Sequence, residues 1–348
     1  MAASDKPPTV KDIARLSQTS ASTVSRVLTG IVPVTPKKRE AVLQAIKAAD
    51  YRPNLLARSF KTKTTLSFGL LINDILNPFY GALTRGAEDV ASEAGYALML
   101  CNTNEDAHRE QQYLAMLRDK SVDGIILAPT GGNREAMQAL IQSGTALVQI
   151  DRIQPGCLAA SVTVDNALGG YLAAKHLLEA GHERIGFVTY ATGQSSVVQR
   201  EEGCRRAAAE AGLPDGCAAV CRVSFDLADT NAQVTALLET QRPTALIAAN
   251  NRLALAVLGF LKTRGLRVPD DLAFVVFDDL EIFALLTPSL SAVSQPAYAM
   301  GRRAAEFLLA QIASGTDPSE QVEVFVPTLI VRESSPVRRK SWHWWRPG

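Results

Sequence analysis

The sequence TVKDIARLSQTSASTVSRVL, residues 9–28, decides the fold of the N-terminal part of the chain. Thr9 is placed to cap a first helix, with Asp12 at the third helical position, where the helix dipole favours a carboxylate. Ser20 is placed to cap a second helix. The inner face of that helix is predicted to carry Val24, Val27 and Leu28. Two short helices joined by a tight polar turn are typical of a helix-turn-helix, whose second helix can enter a DNA major groove.

A third helix is predicted to follow and to brace the first two. It begins at Thr35, with Pro36 at the first helical position that proline favours, and runs to about Ala49. Its apolar stripe consists of Val42, Ala45 and Ile46. A further short helical segment is expected to begin after Pro53 and to end on Phe60. The segment as a whole therefore predicts a small helical head and a helical hinge.

Charge is divided unevenly along the chain. Residues 1–63 carry twelve Lys and Arg against four acids, a net charge of +8. Residues 64–331 carry nineteen basic and thirty acidic side chains, a net charge of −11, and residues 332–348 add +4. A basic head on an acidic body is expected when only the head meets phosphates. A helical bundle with a solvated charged face is the alternative, but such bundles seldom concentrate so much charge on a short segment.

From Leu66 the pattern changes to short apolar runs that alternate with helical stretches. Buried strands are predicted at 66–72, 97–100, 124–127, 146–150, 185–188, 220–223, 245–248 and 272–277, with further strands at 292–293 and around 322–331. This alternation predicts parallel sheets that are covered on both faces. Because the rhythm restarts after Val164, we expect two α/β lobes with a ligand between them, at the carboxyl ends of the strands.

Several motifs follow one another in a recognisable order. In the head they are TVKDIA at 9–14, SASTVSRVL at 20–28 and YRPNLLARS at 51–59. In the body they are NPF at 77–79, DR at 151–152, VPDD at 268–271, DD at 278–279 and QP at 295–296. This series resembles the lactose-repressor (LacI/GalR) family of bacterial transcription regulators. The resemblance implies an all-α helix-turn-helix head and an α/β body of two Rossmann-like, parallel-sheet lobes of the periplasmic-binding-protein type.

The resemblance also implies which residues of the second helix contact DNA. Those expected at base edges in the major groove are Ala21, Ser22 and Arg26. Those expected at phosphates are Ser20, Thr23 and Ser25. The chemistry agrees, because an arginine can donate two hydrogen bonds to a guanine. A hydroxyl binds a phosphate well but contributes little to sequence specificity.

The hinge is implied to form a helix on DNA and to enter the minor groove. The hinge residues expected to contact DNA are Asn54, Ala57 and Phe60. The family usually carries a leucine wedge where this chain has Phe60. A phenylalanine ring can also wedge between base steps, so the kinking mechanism can survive this departure. The alternative is that Phe60 packs against the body.

A second set of residues is implied to bind an effector in the cleft. The polar members are Asp151, Arg200, Asn250, Asp278 and Gln295. A carboxylate and an amide can hold a vicinal diol through paired hydrogen bonds, and an arginine can fork onto two sugar oxygens or onto a carboxylate. The aromatic members are Phe79 and Phe225, for which ordinary core packing is an equally good interpretation.

The expected domain boundaries follow from these patterns. The helix-turn-helix head covers 1–50, and the hinge helix and linker cover 51–64. The two-lobed body covers 65–331, with a first lobe of about 65–163 plus 294–318 and a second of about 164–293 plus 319–331. The basic, Trp-rich tail at 332–348 is expected to be disordered.

Several classes of protein are disfavoured by the sequence. It has no Gly-rich phosphate loop, nucleophile elbow or paired-histidine motif, so we expect neither an enzyme nor a cofactor. Its five cysteines are scattered, without zinc-like spacing, and are interpreted as reduced thiols with no metal site. The chain has no run long and apolar enough for a membrane span and no signal peptide. A solute-binding protein of a transport system, the main alternative, needs a signal peptide and no DNA-binding head.

The expected function is that of a cytoplasmic, nucleoid-associated repressor of a carbon-catabolism operon. It is expected to bind a pseudopalindromic double-stranded operator as a homodimer, with a tetramer as the alternative. The expected effector is a sugar or sugar acid rather than a purine. The family commonly has Asn-Asp where this chain has Asn250–Asn251, and losing a carboxylate beside Arg200 weakly favours an anionic ligand.

Overall fold

The computed structural model describes residues 8–29, 33–51, 64–191, 193–214, 218–314 and 322–337. The chain divides into two compact units, Met1–Thr65 and Leu66–Gly348, which we call the head and the body. The head has one hydrophobic core cluster, and the body has three of its own. Within the ranges given above, no helix is both long enough and apolar enough to cross a membrane.

The head is built from α1 Val10–Leu16, α2 Ala21–Thr29 and α3 Pro36–Ala48. The predicted capping box at α1 is present: the Thr9 N–H donates to Asp12 at 2.9 Å, and the Asp12 N–H donates to the Thr9 hydroxyl at 3.4 Å. The buried core shared by the helices contains Ile13, Ala14, Val24, Val42, Ala45 and Tyr51. The predicted apolar stripes therefore meet in one small core.

Tyr51 belongs to the head, although the sequence pattern placed it in the hinge and linker at 51–64. Its side chain is only 7% exposed, and its N–H donates to the Ile46 carbonyl at 3.0 Å. A buried aromatic ring contributes much apolar area to so small a core. The following residues, 52–63, lie outside the described part of the chain. The predicted hinge helix, with Asn54, Ala57 and Phe60, falls there.

The body alternates strands and helices in the predicted manner. Its first half contains β1 Ser67–Ile72, α4 Pro78–Glu93, β2 Ala97–Asn102, α5 Ala107–Asp119, β3 Gly124–Leu127, α6 Arg134–Gln142, β4 Ala146–Ile150 and β5 Ala160–Val164. Then follow α7 Asn166–Glu179, β6 Ile185–Tyr190, α8 Ser195–Glu210, β7 Ala218–Val223, α9 Thr230–Gln241, β8 Ala245–Ala248, α10 Asn251–Thr263 and β9 Ala273–Phe277. The last described elements are α11 Glu281–Leu285, β10 Ser291–Ser294, α12 Ala297–Ser314, β11 Val322–Phe325 and β12 Thr328–Ile330.

The strands form two sheets, one in each lobe. The first sheet has the order β11-β5-β4-β3-β1-β2 and is parallel. The second has the order β12-β10-β9-β8-β6-β7 and is parallel except for β12, which runs antiparallel to β10. The central strands are buried on both faces, as a parallel sheet covered by helices requires. The predicted fold class is confirmed.

The end of the chain differs from the predicted lobe assignment. The strand expected around 322–331 is two strands, and β11 pairs with β5 in the first lobe rather than joining the second lobe. Pro327 stands between β11 and β12. Proline cannot donate a ladder hydrogen bond, so the chain leaves one sheet there and enters the other.

The expected disordered tail cannot begin at Arg332, because residues 332–337 pack on the second lobe. The Arg332 guanidinium binds both carboxylate oxygens of Asp279, at 2.8 and 2.7 Å. The Ser334 hydroxyl donates to the Phe274 carbonyl at 2.6 Å, and Ser335 is buried. These bonds extend the ordered second lobe to Val337. Residues 338–348 lie outside the described part.

Each lobe contains a pair of helices that pack backbone against backbone. In the first lobe α4 packs on α12, and in the second α7 packs on α8. A Cβ added at Gly301 would overlap the Leu83 carbonyl oxygen, and one added at Gly203 would overlap the Ala167 carbonyl oxygen. Glycine is therefore needed at these crossings for close approach.

Candidate functional site

The first candidate site is the outer surface of α2 in the head. Ser20 caps this helix, because its hydroxyl accepts the Thr23 N–H at 3.1 Å. Val24 is fully buried on the inner side, whereas Ala21, Ser22 and Arg26 are exposed. Thr23 and Ser25 are half-buried at the edge of this face. The residues predicted to read base edges therefore lie on the solvent side of one capped helix.

The Ser20 hydroxyl joins two of its neighbours in a local network. It lies 2.7 Å from the Ser22 hydroxyl and 2.9 Å from the Thr23 hydroxyl. Hydroxyl groups at a helix N-terminus, beside the exposed N–H groups, form a suitable surface for a phosphate. The N-terminal end of α2 can thus bind a backbone phosphate while its exposed face points to a groove.

The second candidate site is a cavity between the two lobes of the body. The seven residues predicted to bind an effector all line it: Phe79, Asp151, Arg200, Phe225, Asn250, Asp278 and Gln295. Asp151 directly follows β4, Asp278 follows β9, and Gln295 follows β10. Since parallel strands bring their carboxyl ends to one edge of a sheet, residues far apart in sequence meet here.

Asp278 is held on the second-lobe side of the cavity. It is 5% exposed, and its Oδ1 accepts a short hydrogen bond from the Gln295 amide. Its backbone has φ 72°, a left-handed conformation that is uncommon for a residue other than glycine. Burial raises the pKa of Asp278, while the positive charge of Arg200 and the bond from Gln295 oppose that rise.

Arg200 is buried beside Asp278, and two of its nitrogens have protein partners. Its Nε donates to Asn166 at 2.8 Å, and a terminal nitrogen donates to the Ala249 carbonyl at 2.6 Å. Its guanidinium stacks on the Phe277 ring, 3.6 Å from the ring centroid. Burial lowers the pKa of Arg200. The arginine is therefore a fixed part of the cavity wall.

Asp151 is the centre of a network on the first-lobe side. It has φ 66° and accepts the Tyr80 hydroxyl proton in a 2.9 Å hydrogen bond. Arg152 forms two short contacts with the Glu105 carboxylate, at 2.9 and 2.7 Å, and its Nε lies 3.4 Å from Asp151. Burial raises the pKa of Tyr80 well above its usual value, and the Asp151 charge adds to the rise. Tyr80 therefore acts as a hydroxyl donor.

Aromatic side chains form the remaining wall. Asn250 caps α10 by accepting the Leu253 N–H at 2.9 Å, and its side chain lies 3.5 Å from the Tyr190 hydroxyl. The rings of Tyr190 and Phe225 are in contact, 5.4 Å apart between centroids. Phe225 thus lines the cavity and also packs against Tyr190, so ligand contact and core packing are compatible roles for this ring.

Other lining residues were not predicted. They are Asp74, Asn77, Tyr80, Glu105, Arg152, Tyr190, Gln194, Ser196, Val197, Ala249 and Arg252. Position past a strand end could have indicated Asp74 and Glu105, which follow β1 and β2. Tyr80 and Arg252 lie within the first turn of a helix, where no local pattern separates a cavity residue from a surface residue.

Asn251 has a partner in the first lobe that the sequence did not predict. Its amide nitrogen donates to the Asn77 side-chain oxygen at 2.7 Å, and Asn77 belongs to the first lobe. The amide at this position therefore joins the lobes.

Three oxygens and one nitrogen in the cavity lining are buried without a hydrogen-bond partner among the described residues: Oδ2 of Asp74, Oε1 of Gln194, Oε1 of Gln295 and Nε of Arg152. The Asp74 and Arg152 atoms still have ionic neighbours, Arg252 at 3.2 Å and Asp151 at 3.4 Å. A buried acceptor without a donor is costly, and a ligand hydroxyl can supply the missing proton. The cavity volume is about 40 Å³, which is too small for a sugar, so a ligand of that size requires the lobes to move apart.

Comparisons with known proteins match both the head and the body. Residues 9–54 match the family model for bacterial regulatory proteins, lacI family, and residues 174–335 match a periplasmic binding protein-like domain. The chain is 32% identical over 330 residues to the HTH-type transcriptional repressor PurR of Aliivibrio fischeri (strain MJ11), covering 94% of this chain and 98% of that protein. It is 35% identical over 329 residues to the ribose operon repressor of Haemophilus influenzae, with coverage of 94% and 98%. A solved LacI family transcriptional regulator from Enterococcus faecium with bound ribose is 27% identical, with a TM-score of 0.71 and coverage of 78% and 100%.

Proposed function

Because the chain belongs to the lacI family of bacterial regulatory proteins, we propose that it represses transcription by binding a pseudopalindromic operator as a homodimer, under the control of a neutral sugar. The observation that carries the DNA-binding half is the exposed face of α2, with Ala21, Ser22 and Arg26 on a helix that Ser20 caps. This helix projects polar and small side chains outward while Val24 anchors it to the core.

Arg26 is the residue proposed to read a base. It can donate two parallel hydrogen bonds to a guanine, a contact worth about 1–3 kcal/mol of discrimination. Ser20, Thr23 and Ser25 are proposed to bind phosphates and to fix the helix on the duplex. The hinge residues Asn54, Ala57 and Phe60 are proposed to complete the site in the minor groove.

A homodimer is supported by exposed apolar residues on the body. Ile75 and Leu76 are 54% and 85% exposed, and Ile282 and Leu285 are 50% and 77% exposed. Ile282 lines a surface groove together with Pro78, Leu280 and Tyr298. Apolar groups exposed in this way mark a protein interface, and a second copy of the chain would give the operator two symmetric heads.

A neutral sugar is the effector class that the cavity chemistry favours. Three of the four unpartnered atoms in the cavity lining are acceptors, and the fourth, Nε of Arg152, lies 3.4 Å from the Asp151 carboxylate. An anion would need free donors, whereas a sugar hydroxyl can donate to Gln194 or Gln295. The ribose operon repressor and the ribose-bound regulator among the similar proteins favour a pentose, so D-ribose is the first probe.

The DNA-binding half is tested by selection from a random duplex library with the purified full-length protein. We expect a two-fold symmetric motif, and loss of affinity of about tenfold to a hundredfold for Arg26→Ala on the selected sequence. Arg15→Ala is the control, because Arg15 lies on α1 and pairs with Asp12. Between about 50 and 200 mM salt, operator affinity should fall steeply. Failure to enrich any symmetric sequence would refute the proposal.

The effector half is tested by calorimetric titration with D-ribose, D-ribonate and adenine. We expect ribose to bind best, and Asp278→Asn and Arg200→Ala to abolish measurable binding because both line the cavity. Asp270→Asn, an exposed carboxylate on the same lobe, should leave binding unchanged. Ribose binding that both cavity variants retain would place the effector elsewhere. Preferred binding of ribonate would contradict the acceptor argument.

A further inference from the structure

Contacts between polar side chains cross the cleft outside the predicted effector residues. Asn251, the first residue of α10, donates from its amide to Asn77 at 2.7 Å. Both side chains are buried. The same Asn77 oxygen accepts the Phe79 N–H at 3.0 Å and so caps α4. This oxygen is held in place as an acceptor, and only a donor at 251 can satisfy it from the other lobe.

Arg252 makes a second contact between the lobes. One of its terminal nitrogens lies 3.2 Å from the Asp74 carboxylate, and the two side chains are 30% and 10% exposed. Its guanidinium also stacks on Phe225, 4.9 Å from the ring centroid. Asp74 is held by a further bond from the Leu76 N–H at 3.0 Å. The arginine is thus anchored in the second lobe and reaches a fixed carboxylate in the first.

Gln194 makes a third contact between the lobes. Its amide nitrogen donates to Glu105 at 2.6 Å, and Arg152 orients that carboxylate. Close by, the Ile153 N–H is 3.4 Å from the Ser195 hydroxyl. The contacts flank the cavity, since Asn77, Asp74, Glu105, Gln194 and Arg252 all belong to its lining.

We infer that Asn251, Arg252 and Gln194 are positioning residues that form a latch between the lobes and stabilise the closed cleft. Each contact joins a side chain of one lobe to a side chain of the other, so each is broken when the lobes separate. A hydrogen bond or ion pair present in one state alone shifts the equilibrium between the states by its full strength. The amide at 251 is essential to the latch, because an aspartate there has no proton to donate and would face the Asn77 oxygen.

The latch also sets the effector response, and this part rests on the proposed function. A ligand enclosed by both lobes binds the closed state, so its apparent affinity falls with the fraction of closed molecules. Because Asn251 is not among the residues that line the cavity, Asn251→Asp should weaken ligand binding without removing a lining group. By the same linkage, the operator and the latch would influence each other if the operator prefers one lobe arrangement.

The latch is tested on the full-length protein without effector by amide hydrogen exchange. We expect Asn251→Asp and Arg252→Glu to speed exchange roughly tenfold in the cleft-facing segments of the first lobe, near Asn77 and Asp151. That lobe contains neither substitution. An aspartate in the first turn of a helix stabilises that helix through the helix dipole. Faster exchange could therefore not be explained by fraying of α10.

Matched controls are available on the same lobe. Asn231→Asp makes the same chemical change in the first turn of α9, at an exposed position, and Lys262→Glu makes the same charge reversal later in α10. Neither should alter exchange in the first lobe. If Asn251→Asp and Arg252→Glu exchange at the rate of these controls, the latch does not exist. If all four variants speed exchange equally, the effect is structural and the inference is also wrong.

A second readout separates the latch from the identity of the effector. Calorimetry with D-ribose should show apparent affinity reduced roughly tenfold in Asn251→Asp, with a global unfolding temperature close to that of Asn231→Asp. If the wild-type protein does not bind ribose, the proposed effector fails, while the exchange experiment still decides the latch. If ribose binds the wild type and Asn251→Asp equally well, the latch does not control effector binding.

Discussion

The head and the body hold their candidate binding residues in opposite ways. In the head the described candidates lie between Ser20 and Arg26, on one helix and its cap. In the body they extend from Phe79 to Gln295 and come from two sheets and several helices. The helical periodicity of α2 is enough to place the first site on the solvent side. The second site exists only once the two sheets have formed. A substitution on the exposed face of α2 should therefore mainly change binding, while one in the cleft should change stability as well.

The largest expected effect is a loss of stability in the body, with the stability of the head unchanged. Gly301→Ala should lower the free energy of unfolding of the body by about 3 kcal/mol or more, because the new Cβ overlaps the Leu83 carbonyl oxygen. Chemical denaturation followed by circular dichroism measures this loss. Gly81→Ala, on α4 with nothing near its added Cβ, should be neutral or slightly stabilising. Equal stability of the two variants would show that the helices can move apart without cost.

A smaller effect is expected from a single hydroxyl in the cleft. Tyr80→Phe should destabilise the body by about 2 kcal/mol, because it deprives the buried Asp151 of a 2.9 Å hydrogen bond. Tyr298→Phe removes an equivalent bond to Asp89 at an exposed position and should cost about 0.5 kcal/mol or less. Thermal unfolding of both variants gives the comparison. A similar cost for the two would mean that burial does not strengthen the Tyr80 bond.

The next prediction concerns the stability of α2 in the head, which depends on its N-terminal cap. Ser20→Ala removes the acceptor for the Thr23 N–H and should destabilise α2 by about 1 kcal/mol. Ser22→Ala, two residues later on the exposed face, should leave stability nearly unchanged while altering operator binding. Hydrogen exchange of residues 21–29 measures the stability of the helix. Faster exchange in Ser22→Ala than in Ser20→Ala would reverse the assigned roles.

The smallest expected effects are pH dependences of opposite sign. The hydrogen bond from Thr9 lowers the pKa of Asp12 below 3.8, so its contribution to head stability is present above that pH and is lost as pH falls through the folded-state value. Burial raises the pKa of Asp278, so its contribution is present below 3.8 and is lost as pH rises. Thr9→Val should flatten the acid loss in the head, and Asp278→Asn should flatten the loss with rising pH in the body. Stability measured between about pH 3 and 6 checks both signs. Parallel slopes in the two variants would contradict the opposed environments.

The sequence predicted most where the physics is local. The Thr9–Asp12 capping box and the start of α3 at Pro36 both follow from backbone groups within one helical turn. Strand–helix alternation gave the fold class for a similar reason, since burial on both faces leaves a continuous apolar run. The short strand β5, rich in Ser and Thr, was not predicted, because it is buried by its neighbours rather than by its own composition.

The candidate cleft could be predicted only in part. Strand ends and motif positions were the basis for naming seven residues, and all seven line the cleft. The bond from Asn251 to Asn77 of the other lobe was not predicted. The spacing of Asn251 from Asn250 could not indicate this, because adjacent residues at a helix start point in different directions.

The amino-acid sequence was sufficient to predict the basic helical head, the parallel two-lobed body and the types of side chain at the ends of its strands. These properties depend on charge, on periodicity and on caps, all of which act over a few residues. The tertiary structure alone decided that β11 and β12 belong to different lobes and that Arg332 extends the second lobe. It also decided that Asn251, Arg252 and Gln194 reach across the cleft. Such contacts join residues distant in sequence, and their energy exists only once the chain has brought them together.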